Sequence, residues 1–161
     1  MANPTTEKSI FTLDEAHGQF ARAYNARVWE LLANGERSAD ETEEMLRAAH
    51  CSLEHWAKFS QGKPANLQRG LWLLATVYTS ARYLAEALRY AQACETFTKT
   101  YAQHLEVFDV AYMYLALARV YALAEQRKVS MQYFTLARQM GEKIEAEEDK
   151  KIFLHDFRTK I

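Results

Sequence analysis

Leu71-x-x-Leu74-Ala75-x-x-Tyr78, followed by Ala87, Ala91 and Cys94, returns 43 residues later as Tyr114-x-x-Leu117-Ala118-x-x-Tyr121, followed by Ser130, Phe134 and Ala137. Steps of three and four residues put these side chains on one face of a helix. A repeat this short cannot bury a core alone, so its copies must stack on each other. Small side chains let the two helices of a pair approach, while bulky ones fill the groove between pairs. The pattern predicts helical hairpins laid side by side.

The rest of the chain agrees. Only two prolines and five glycines interrupt 161 residues, so long helices and short turns are expected. Thr12-Leu13-Asp14-Glu15 and Ser38-Ala39-Asp40-Glu41 each read as a capping box, in which the two side chains satisfy exposed N–H groups at a helix start. They predict helices over about 13–33 and 39–60, an antiparallel pair turning at Asn34-Gly35. Phe20, Tyr24, Val28, Leu31 and Leu32 mark the apolar face of the first, and Met45, Ala49, Leu53 and Trp56 that of the second. Pro64 suits a first turn, where its missing N–H costs nothing. Further helices are expected at about 65–80, 83–99, 106–124, 127–143 and 145–158. Residues 1–11 are expected to be a loosely ordered N-terminal segment, and 12–161 a single domain.

The paired motifs of 65–143 resemble the tetratricopeptide pattern, with a period stretched beyond the usual ~34 residues. The first 60 residues match it weakly: with Leu31 aligned to the two tyrosines, nothing small follows where the second helix should have it. The resemblance implies an all-α, short right-handed helical-hairpin solenoid of three hairpins with a C-terminal capping helix. The charged run Glu145 to Lys151 ahead of Ile152, Phe153 and Phe157 suits that last helix.

Twenty basic and twenty-one acidic side chains give a net charge of −1. No basic face for nucleic acid is advertised, and no apolar run approaches the ~18 residues of a membrane helix. The start carries no secretory pattern. The expected setting is the cytoplasm, with Cys51 and Cys94 as free thiols.

One short stretch invites a catalytic reading: Ala48-Ala49-His50-Cys51-Ser52-Leu53-Glu54-His55-Trp56. At ~100° per residue, its two i, i+4 pairs, His50 with Glu54 and Cys51 with His55, point in different directions. A metal site would need a second helix, with His17 the candidate partner for His50. The simpler expectation is a helix–helix seam with His50 at its edge and Cys51, His55 and Phe59 toward the next hairpin. No Gly-rich phosphate loop or Ser-His-Asp arrangement is present, so no enzyme, metal or cofactor is expected; a small-molecule or metal site at His17 and His50 is a lesser alternative.

In tetratricopeptide-like scaffolds the first helix of each hairpin lines a concave groove. Carried onto this chain, that face implies Arg22, Asn25 and Trp29, then Arg69, Trp72 and Thr76, then Tyr112, Leu115 and Arg119. Guanidinium forks and aromatic faces suit a peptide carboxylate or acidic segment. The expected activity is therefore binding a protein or peptide partner. A homodimer is the structural rival, raised by Phe97, Tyr101, Phe108, Tyr133 and Phe153.

Overall fold

A computed structural model describes residues 11–159, and among them the chain is all helical. The helices are α1 (Leu13–Ala33), α2 (Ala39–Lys58), α3 (Pro64–Ser80), α4 (Leu84–Thr100), α5 (Val107–Leu123), α6 (Arg127–Glu142) and α7 (Glu147–Arg158), with a short 3₁₀ turn at Ala102–His104. The expectation for 1–11 falls, Phe11 apart, outside the described residues.

Both capping boxes close. Glu15 Oε2 accepts from the Thr12 N–H at 2.8 Å while Thr12 Oγ1 accepts from the Glu15 N–H at 3.2 Å. Ser38 and Glu41 repeat the arrangement at 2.8 and 3.2 Å. Pro64 is the first residue of α3.

Three pairs form by close packing of α1 on α2, α3 on α4 and α5 on α6, and α3 and α5 also pack on each other. Ala87, Ala91, Cys94 and Ala137 are fully buried at these seams. Each pair also carries a small polar side chain that donates from its second helix to a carbonyl of its first. Ser52 reaches Ala21 O at 2.9 Å, Cys94 reaches Gln68 O at 3.7 Å, and Ser130 reaches Ala118 O at 2.8 Å. The first pair has its small residues after all, as Ala48, Ala49 and Ser52. They come later in the chain than that alignment placed them, and the turn at 34–38, five residues against three at 81–83 and 124–126, accounts for part of the shift.

The two tight turns are the same turn 43 residues apart. Arg82 (φ 64°) and Glu125 (φ 59°) occupy the left-handed position after α3 and α5. The following N–H groups return to the helix: Tyr83 N to Tyr78 O at 2.9 Å, and Gln126 N to Tyr121 O at 3.0 Å. This is a Schellman closure, made without its usual glycine. Each tyrosine then stacks on one from the second helix, Tyr78 on Tyr90 and Tyr121 on Tyr133, both at 5.5 Å between ring centres.

Two close approaches fix neighbouring helices. Leu53 Cδ1 lies 2.7 Å from where a Cβ on Gly70 would sit, joining α2 to α3, and the Phe153 ring lies 2.1 Å from the equivalent point on Gly141, joining α7 to α6. Phe20, expected inward, is 51% exposed, because Gly18, Ala21, Val28 and Leu31 already form the buried face of α1.

Candidate functional site

Among the described residues α1 packs extensively on α2 alone, which leaves a cleft between α1 and the layer of α3, α5 and α7. It has two lobes of about 480 and 400 Å³, which share Trp29, Trp72, Tyr112 and Asp156 in their walls. Trp72 stacks on Tyr112 at 4.6 Å, and Trp29 leans on Trp72 at 5.9 Å. These three rings divide the cleft. The larger lobe runs along Leu32, Arg37, Thr76, Ser80 and Arg119. The smaller is walled by Asn25, Trp56, Arg69, Phe108 and Ile152.

The structure brings together most of the groove residues read from the sequence and corrects one, Leu115. Trp29 is 38% exposed at the mouth, while Trp72 and Tyr112 are buried, forming the floor more than the surface. Thr76 lines the larger lobe, its hydroxyl donating to Trp72 O at 2.9 Å. Arg69 Nε donates to Asp109 Oδ1 at 2.7 Å, and its guanidinium lies over Phe108. Arg22, exposed beside the smaller lobe, lies 5.9 Å from the Trp56 ring centre. Leu115 is a core residue, 1% exposed, and lines neither lobe. Arg119 lines the larger lobe with one terminal nitrogen committed, donating to the carbonyls of Asp156 and Thr159 at the C-terminal end of α7.

On the α5 side, α7 bounds the cleft. It lies against α5 and α6 with Phe153 fully buried, and Tyr112 donates to Asp156 Oδ2 at 2.6 Å. Part of the groove face expected on α5 is thus covered by α7. Burial, ahead of the Asp156 contact, raises the Tyr112 phenol well above its usual range. Burial also lowers Arg119, to about 10, so it stays cationic at neutral pH and neutralises the negative end of the α7 dipole.

Two polar atoms of the smaller lobe's walls have no partner among the described residues, the Trp72 Nε1–H and the Asn25 Oδ1. An unpaired buried donor or acceptor costs ~1–3 kcal/mol, and both atoms are closed to solvent in this structure.

The histidines are arranged differently from expectation. His17 Nδ1 meets His55 Nδ1 at 2.8 Å, while His50 Nε2 meets Tyr78 OH at 2.9 Å. His17 and His50 are therefore not partners. His55 and Phe59 turn back toward α1, where His55 meets His17 and Phe59 packs on Gly18, rather than toward the next hairpin. Among the described residues no group of three or more metal-ligating side chains is assembled. Cys94 is buried, which pushes its thiol up to about 12. The aromatics that raised a dimer are mostly packed inside: Phe153 is fully buried, Phe97, Phe108 and Tyr133 half-buried, and Tyr101 is 40% exposed.

Arg37, Trp56, Phe108 and Asp156 line the cleft and were not among the residues read from sequence. Trp56 and Phe108 had helical spacing but no signal to separate cleft from core. Arg37 had none: it closes α1 by donating to Leu31 O at 2.8 Å and Asn34 O at 2.8 Å, and reaches across to Ser80 on α3.

Fold and cleft define an all-α protein of paired helices with an aromatic cleft beside its first helix. Compared with protein-family models, curated proteins and solved structures, the chain matches none of them. No helix among the described residues is long and apolar enough to cross a membrane.

Proposed function

We propose that this chain is a divergent tetratricopeptide-like solenoid acting as a non-enzymatic, cytoplasmic interaction module, and that it binds a peptide or acidic segment in the cleft between α1 and α3. The register supports the family reading: equivalent turns, stacked tyrosine pairs and small seam residues recur 43 residues apart in α3–α4 and α5–α6. The observation that carries the binding reading is the cleft itself, walled by Trp29, Trp56, Trp72, Phe108 and Tyr112. From Arg69 to Ser80 the floor spans eleven helical residues, roughly 16 Å at 1.5 Å each. That is room for about five residues of extended chain at ~3.3 Å each.

The Cys94 thiol is buried, and His17, His50 and His55 are engaged with one another or with Tyr78, away from the cleft walls; His155 does line the larger lobe, beside Asp156, whose Oδ2 takes the Tyr112 hydroxyl.

The test is a random peptide display selected on the whole chain, with selected sequences titrated against Trp29→Ala. Trp29 sits at the mouth, so the variant should keep its helical circular dichroism and lose at least tenfold in affinity. Selected peptides that bind the variant as well as the parent, or a selection that enriches nothing, would remove the cleft as the working surface.

A further inference from the structure

The smaller lobe has a chemistry more specific than a general peptide groove. Its walls are Trp29, Trp56, Trp72, Phe108, Tyr112 and Ile152, around about 400 Å³, within the ~300–1,000 Å³ of pockets that hold ligand groups. Ile152 is 50% exposed and Trp29 38%, so apolar surface stands open at the mouth.

Two guanidinium groups flank that mouth, each lying over a ring: Arg22 over Trp56 at 5.9 Å and over Phe59 at 6.0 Å, and Arg69 over Phe108 at 5.3 Å. The nearby carboxylates are already engaged. Asp109 takes Arg69 Nε on one oxygen and the Glu106 N–H on the other, while Asp156 takes the Tyr112 hydroxyl. Among the described residues Arg22 forms no ion pair, and the two terminal nitrogens of Arg69 have no hydrogen-bond acceptor. Trp72, 7% exposed, adds an N–H without an acceptor. The Arg22 guanidinium and the terminal nitrogens of Arg69 are thus donors left over beside an apolar hole.

Resting on the peptide-binding reading above, we infer that the guest is an acidic segment with a bulky apolar anchor. The anchor side chain fills the smaller lobe, and carboxylates beside it pair with Arg22 and Arg69. A guanidinium attracted to an aromatic ring keeps its fork free to meet a carboxylate bidentately. A bulky apolar group entering a desolvated hole between such rims has the anatomy of a binding hot spot.

Three fluorescein-labelled pentapeptides test this by anisotropy with the whole chain: Glu-Asp-Phe-Asp-Glu, the same peptide with Ala for Phe, and Lys-Lys-Phe-Lys-Lys. The first should bind saturably, and the other two at least tenfold more weakly. Arg22→Glu is the decisive variant, because Arg22 is exposed and holds no ion pair, whereas Arg69→Glu would set a second carboxylate against buried Asp109. Arg22→Glu should lower affinity for the acidic peptide at least fivefold and raise it for the lysine peptide, a reversal that simple unfolding does not produce.

Equal binding of the phenylalanine and alanine peptides would overturn the anchor, and equal binding of the acidic and basic peptides would overturn the charge assignment. Either result leaves the wider reading standing if the display selection succeeds. No binding by any of the three peptides overturns the inference. If it comes with a mass that doubles with concentration in light scattering, a second copy of the chain is the occupant instead.

Discussion

Arg82 and Glu125 show how much one residue's backbone can ask for without announcing it. Both hold a left-handed conformation that costs an L side chain ~1–2 kcal/mol relative to the right-handed region and costs glycine almost nothing. Glycine gives part of that back by loosening the unfolded chain. The net expectation for Arg82→Gly, and separately for Glu125→Gly, is a gain of about 0.5–1 kcal/mol, read as a higher urea midpoint with an unchanged slope. A loss in both would mean that the closure does not strain the turn. These turns lay in the sequence as Ala-Arg-Tyr and Ala-Glu-Gln, with no Gly or Asn to mark them. The capping boxes at Thr12 and Ser38 were legible because their chemistry is local, a side chain meeting a backbone three residues away.

At the scale of elements, the helix starts make the fold sensitive to acid. The Thr12 N–H holds the Glu15 carboxyl below its usual range, the Ser38 N–H does the same for Glu41, and the Ser60 N–H does so for Asp14, tying the start of α1 to the end of α2. A carboxyl with a lowered folded-state pKa stabilises fully above its unfolded value, ~4, and that stability is lost as pH falls through the folded value. His50 and His55, lowered first by burial, begin the same trend below their unfolded value of ~6.5, since there the unfolded chain takes up more protons. Thermal midpoints should therefore decline slightly from pH 7 to 5 and steeply below 4. Glu15→Gln with Glu41→Gln should flatten the steep part. A midpoint flat down to pH 3 in the parent would refute the account. For α7 the decisive contact is Phe153 on Gly141. Alanine there gains about 1 kcal/mol of helix propensity, but a Cβ would stand 2.1 Å from the ring, and overpacking costs ~1–3 kcal/mol. The clash should prevail, so Gly141→Ala is expected to destabilise by up to roughly 2 kcal/mol in denaturant titration.

For the molecule as a whole, α1 is held to the remaining helices mainly through α2, whereas α3 and α5 are packed on several sides. Native-state hydrogen exchange should therefore open α1 at a lower free energy than α3 and α5, and a cleft ligand touching Trp29 and Trp72 should raise the protection of α1 first. Uniform opening of all helices would contradict that order. The helices, their starts and the paired arrangement of α3–α4 and α5–α6 could be read from the chain, since periodicity, capping and seam-sized residues act over a few positions. Most of the groove was legible too, through the resemblance, which implies that Trp29, Arg69, Trp72 and Tyr112 face one groove from the first helices of the three pairs. The fate of that face was not. Whether Arg119 meets a partner or caps α7, whether Leu115 faces a cleft or the core, and whether His17 finds His50 or His55 depend on how helices far apart in sequence come to rest. Those outcomes are set by side-chain fit across seams, a property of the assembled whole that no local pattern records.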